Sequence, residues 1–258
     1  MELTAGLKLY IYVLSFVFGT VFGSFINCMA WRIVAGESIT RGRSHCPKCG
    51  HVLSAPDLVP LFSWLFLKGR CRYCKERIPF RYFLIELLTG IAFLLAAVRF
   101  GFSFESLRAM ILACTLMGLS LVDYDSQIIP NGFILFGIVV WAVFLPLVSG
   151  NIIRDLLTGL AGGLGIGGGM LAVSLIFDKI TGKDSLGGGD IKLFFMTGLY
   201  LGPAAGLFNL ILACIIGLIF AALLKKQRFP FGPAISIASF ISLLYGESIV
   251  KWYSGLIV

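Results

Sequence analysis

Apolar residues run through this chain in long stretches, with neither the alternation of a half-buried strand nor the narrow stripe of a helix on a soluble core. A bilayer-spanning helix takes about 20 mostly apolar residues, and seven segments qualify: 9–30, 83–98, 107–122, 133–148, 152–177, 204–224 and 234–250. A shorter apolar piece at 191–201 is set off from the next by Gly202 and Pro203, a pair that interrupts helices. The pattern predicts an all-α polytopic membrane protein of about eight transmembrane helices. The first run is too long for a removable signal peptide and lacks its charged start and small-residue cleavage site, so it is expected to remain as helix 1.

Composition agrees, with 58% hydrophobic and 13% charged residues. Charge adds orientation. With the N-terminus outside, the polar stretch 32–81, the 179–192 segment and the cluster Lys225, Lys226, Arg228 all face the cytoplasm. Of 21 basic residues only Lys8, Arg99, Arg108, Arg154 and Lys251 then lie outside, as the positive-inside rule requires. Fusing 191–201 to 204–224 would throw the Lys225 cluster outward, so the charges favour the break. The net charge of +8 reads as topology and lipid contact, not as nucleic-acid binding, because no folded basic module carries it.

The one large polar loop, between helices 1 and 2, contains CPKCGH and CRYCKE. Two CxxC pairs supply four sulfur ligands, the set that structural zinc prefers. Cys46, Cys49, Cys71 and Cys74 are therefore expected to hold zinc, with no open position for catalytic water. Two disulfides are the alternative, disfavoured in a reducing cytoplasm. Cys28, Cys114 and Cys214 lie in apolar runs and take no role.

Acidic groups at the ends of apolar helices are expensive, and so are functional candidates. Asp123 closes the third run in LVDYDSQIIP, and Asp190 follows three glycines in SLGGGDIKLF. The topology brings both to the cytoplasmic face. Two close carboxyls share a proton, giving one base to activate water and one acid to polarise a carbonyl. Glycines before Asp190 would let an extended peptide backbone approach. The competing view is that each Asp caps a helix or pairs with a nearby base, Lys192 for Asp190. Asp125 sits two residues from Asp123, on another helix face, and leaves the local assignment open. Helix polarity suggests Asp190, near a helix start, as the anion and Asp123, near a helix end, as the protonated member.

The motifs VFGSFINCMAWR, the paired CxxC, RYFLIELLTG, VDYDSQIIPN, GGGDIKL and FPFGPAIS together resemble the type IV prepilin peptidases, a family of bacterial membrane aspartyl proteases with a GxGD signature. The resemblance runs nearly end to end. It implies catalysis by Asp123, rather than Asp125, with Asp190. It also implies prepilin or pseudopilin substrates with basic leaders cut after glycine at the bacterial inner membrane, and N-methylation with S-adenosylmethionine. No strand followed by GxGxxG marks a cofactor site, so that second activity comes from the resemblance alone. Ser24, Asn27 and Glu86 are polar among apolar neighbours. Asn27 and Glu86 are the expected cofactor- or amine-binding residues, with interhelical hydrogen bonding the alternative. Asp57, Glu76 and Asp184 are candidates to meet a basic leader.

The expected organisation is helix 1 at 1–31, a zinc-binding loop at 32–81 and a protease core at 82–258. Rival readings are an intramembrane protease of another GxGD branch, a transporter with broken helices, and a zinc-loop assembly scaffold without activity.

Overall fold

The structure is a computed structural model that describes residues 4–182, 186–224 and 230–257. It forms two compact units, 1–118 and 119–258. Among the described residues there is no strand, only two isolated antiparallel bridges. Seven helices among the described residues are long and apolar enough to cross a membrane. The charges expected at Lys183, Asp184, Lys225, Lys226 and Arg228 lie outside the described residues.

In the first unit, α1 (Ala5–Ala35) packs on α3 (Phe80–Phe100) through Gly19, Gly23 and Gly90. Small residues bring the backbones close, the usual source of helix association where lipid removes the hydrophobic drive. α1 runs past the apolar segment, and its last turn contains Arg32. Arg32 was expected as a loop charge, yet it is only 6% exposed. Its guanidinium donates to the carbonyls of Ser38, Ile39, Arg41, Gly42 and Arg43, wrapping the start of the loop around one cation.

The loop between α1 and α3 holds a 3-10 turn (Ala55–Leu58), the short helix α2 (Phe62–Phe66) and two cysteine knuckles. The knuckles repeat one pattern. Cys46 N–H donates to His51 O and Gly50 N–H to Cys46 O; Cys71 N–H donates to Glu76 O and Lys75 N–H to Cys71 O. Each turns through a left-handed residue, Gly50 at φ 68° and Lys75 at φ 62°. α4 (Phe104–Ser126) begins in the first unit and ends in the second.

The second unit adds α5 (Asn131–Val148), α6 (Ile152–Thr181), α7 (Gly188–Leu224) and α8 (Gly232–Ile257). At 37 residues α7 is too long for one crossing, and Gly202 interrupts it with φ 69° and ψ −178°. The Gly-Pro pair thus breaks the chain where the sequence predicts, and stretches 188–201 and 203–224 meet there. Counted as two, they bring the seven long apolar helices among the described residues to eight. α6 lies against this break: a Cβ on Gly162 would come within 2.3 Å of the Gly198 carbonyl oxygen, so only glycine fits. Trp141, Leu145 and Leu199 form a small core beside it, and Tyr200 O–H donates to Gly137 O at 2.6 Å.

Candidate active site and metal centre

α4 ends at Ser126 because Gln127 turns left-handed, at φ 56°, and donates its N–H back to Asp123 O at 2.8 Å. Pro130 then leads into α5. The turn leaves Asp123 on the inner face at 5% exposure, whereas Asp125 is exposed. Gly232, the first residue of α8, donates its N–H to Asp123 Oδ2 at 2.9 Å. A Cβ at 232 would lie 2.6 Å from that oxygen, so the contact requires glycine.

Asp190 stands in the first turn of α7, half-buried. Gly189 brings this turn against Ile129, just beyond the Asp123 helix: a Cβ there would meet Ile129 Cβ at 3.0 Å. Asp190 is close enough to Asp123 for the two carboxyls to interact electrostatically. Lys192, the partner of Asp190 in the competing view, donates to Asn131 Oδ1 at 3.0 Å. Both carboxyls now face a helix N-terminus, Asp190 that of α7 and Asp123 that of α8. Polarity of the parent helix alone therefore no longer separates their roles.

The four cysteines converge, with all Sγ atoms within 4.8 Å of one another and Cys46 Sγ 3.9 Å from Cys74 Sγ. A tetrahedral zinc with Zn–S bonds of about 2.3 Å has S···S edges of about 3.8 Å, so the donor set fits the ion. None of the four is paired in a disulfide here, in keeping with the expected metal centre. Burial opposes the thiolate at Cys46, but the amides of Cys49 and Lys48 and neighbouring thiols outweigh it and bring the pKa down to about 7. At Cys74 the Glu76 amide favours the thiolate, yet desolvation and the other three thiols push the pKa up to about 11.

Asp57 is engaged within the loop, not offered to a ligand. Its carboxylate accepts from the Ser54 hydroxyl at 2.6 Å, from Arg72 Nε at 2.5 Å and from Tyr73 O–H at 3.2 Å. Ser54 above all, with Arg72, holds this carboxyl well below the usual range. Glu76 is exposed.

Glu86 Oε2 accepts the Leu61 N–H at 2.7 Å, and the Ser24 side chain bonds the same carboxyl. Leu61 has φ 63° and ψ −53°, and Phe62 N–H reaches Pro60 O at 2.7 Å, a γ-turn of the rare strained kind. Asn27 Nδ2 donates to Tyr82 O at 3.3 Å, while its buried Oδ1 has no partner. Beside these residues a cleft of about 310 Å³ is lined by Ser24, Cys28, Met29, Arg32, Ser44 and Leu58, among others. Sequence reading missed two residues here. Arg32 looked like a surface charge. Gly232 acts through its backbone, and its only signal was its place in FPFGPAIS, with no role attached to it.

Two carboxyls converging at one end of an apolar helical unit, with a separate thiol cluster, define a multi-pass membrane protein built around acidic chemistry. Residues 17–100 match the model of the bacterial peptidase A24 N-terminal domain, and residues 110–222 that of the type IV leader peptidase family. A prepilin leader peptidase/N-methyltransferase of Bacillus subtilis is 37% identical, over 92% of this chain and 96% of that protein. One from Aeromonas salmonicida is 32% identical over 100% and 99%. A type 4 prepilin-like proteins leader peptide-processing enzyme of Escherichia coli is 34% identical over 92% and 94%. No solved structure matches. The chain belongs to the type IV leader peptidase family, and the expectation of a membrane peptidase holds.

Proposed function

We propose that this chain cuts the basic leader from prepilins and pseudopilins after glycine, at the cytoplasmic membrane face, using Asp123 and Asp190. The observation that carries the reading is the approach of these two carboxyls from separate helices, with Gly232 bonded to one and Gly187–Gly189 flanking the other. One carboxylate takes a proton from water as it attacks the scissile carbonyl. The other, protonated, donates to the carbonyl oxygen, and the proton later reaches the leaving amine. A substrate that is itself a membrane helix with a basic leader presents its scissile bond near the surface, where the aspartate-bearing helix ends meet. The basic residues of 32–81 and 179–192 support a cytoplasmic setting for that end.

The same reading assigns structural zinc to Cys46, Cys49, Cys71 and Cys74, and divides the chain into helix 1 at 1–31, zinc loop at 32–81 and protease core at 82–258. It includes methylation of the new N-terminal amine with S-adenosylmethionine, supported by the relatives' names. Asn27, through its unpartnered Oδ1, and Glu86 are the residues proposed to meet the amine or cofactor; Glu86 would have to share or release the Leu61 amide.

Incubating purified protein in detergent with a prepilin tests the proposal. Wild type and Asp125→Asn should cleave, and Asp123→Asn and Asp190→Asn should not. Retained cleavage in either of the last two would overturn it. The product's mass with and without S-adenosylmethionine decides methylation.

A further inference from the structure

We propose that Asn209 is a positioning residue, a buried clasp whose amide ties the two stretches of α7 to α8 and so fixes where Asp190 stands relative to Asp123. The inference rests on the reading of those two aspartates as the reacting groups. At Gly202 the helical ladder of α7 is interrupted, and Pro203 brings no N–H to restore it. The stretch carrying Asp190 therefore needs another tie to the stretch beyond the break.

Asn209 supplies one. Its Nδ2 donates across the break to Thr197 Oγ1 at 3.4 Å, and its Oδ1 accepts the Ser239 hydroxyl of α8 at 3.2 Å. Thr197 O–H in turn donates to Phe194 O at 3.3 Å. Every bond in this chain uses a different hydrogen, so all three can be made at once. Thr197, Asn209 and Ser239 are each 1% exposed, and no water competes for their bonds.

The placement gives the clasp its leverage. Thr197 lies two turns beyond Asp190 on the same face of α7, and Ser239 two turns beyond Gly232 on the same face of α8, each about 10.5 Å along the axis. Gly232 is the residue that holds Asp123. One side chain thus ties the helix that carries Asp190 to the helix whose first amide holds Asp123 of α4.

The test uses the full chain in detergent with a prepilin, comparing Asn209→Leu, which keeps the branched shape without the bonds, and Asn209→Gln. In Asn209→Leu, kcat should fall about tenfold or more, with KM within about twofold. Its bell of kcat against pH should narrow, because loosened carboxyls titrate with weaker coupling. Asn209→Gln should recover part of both. A wild-type pH profile in Asn209→Leu, at any kcat, overturns the clasp. Should Asn209→Leu fail to fold, Ser239→Ala and Thr197→Val each remove one arm, and unchanged profiles in both overturn it equally. Asp123→Asn runs in parallel: cleavage there sinks the aspartate reading and the clasp with it, whereas an inactive Asp123→Asn beside an unchanged Asn209→Leu profile sinks the clasp alone.

Discussion

The cysteine loop and the aspartate end are assembled in opposite ways. All four sulfurs come from one stretch of 29 residues, and each knuckle closes on backbone bonds among its own few residues. The aspartate end takes Asp123 from α4, Asp190 from α7 and the Gly232 amide from α8, so its geometry exists only when those helices are in register. A local site is held by the ion it encloses. A dispersed site is held by helix packing and by the few polar contacts that set helix against helix. Perturbations should therefore separate cleanly between the two.

The sharpest separation comes from Asp123→Asn or Asp190→Asn, which should lower cleavage by about a thousandfold or more, within the range of lost acid–base catalysis, while metal content stays at the wild-type level by elemental analysis. Next is Gly232→Ala. Its methyl would sit 2.6 Å from Asp123 Oδ2, displacing the carboxyl and weakening its amide bond. A misplacement of about 1 Å can reduce rate about a hundredfold, and thermal melting of the helical unit should move little beside that loss. A Gly232→Ala enzyme of wild-type rate would show that the amide contact is not needed.

Cys71→Ser, or a strong chelator, acts on the other region. Metal content should fall toward background and the loop should become open to protease, because metal binding and folding of such a loop are one process. The α5–α8 unit should keep its melting behaviour. Acid should release the metal too, since the ligands bind as thiolates and protons compete with the ion. Smallest is Asp57→Asn, which weakens the tie from Asp57 to Ser54 and Arg72 and should speed proteolysis of the loop by about tenfold at most. The Asp57 carboxyl is held below its ordinary value, so its stabilisation is full above about pH 4 and fades as pH falls further. The difference between wild type and Asp57→Asn should shrink in that acid range.

What could be read in advance follows the same division. The apolar runs gave the helices, because a bilayer core demands length and apolarity and little else. The knuckles were readable because ligand spacing and fold are the same short-range fact. Gly202-Pro203 announced its break through backbone chemistry. Asp123 and Asp190 stood out as carboxyls at the ends of apolar runs, but local sequence could not choose between Asp123 and Asp125, since burial depends on which face meets the rest of the unit. The role of Gly232 stayed hidden because it is exerted through a backbone N–H, which every residue except proline has. Arg32 and Asp57 were misjudged for a related reason: the sequence shows a charge but not the carbonyls or hydroxyls that will surround it. Helix polarity does not order the two aspartates, because the expectation considered only their own helices and Asp123 also meets the start of α8.

The two knuckles share a hydrogen-bond pattern but not the residue at the turn. Gly50 takes its left-handed conformation without strain, whereas Lys75 takes the same conformation against a penalty of roughly 1 kcal/mol. The second turn is therefore the more strained of the two, and a side chain placed at position 50 would bring the first to the same penalty.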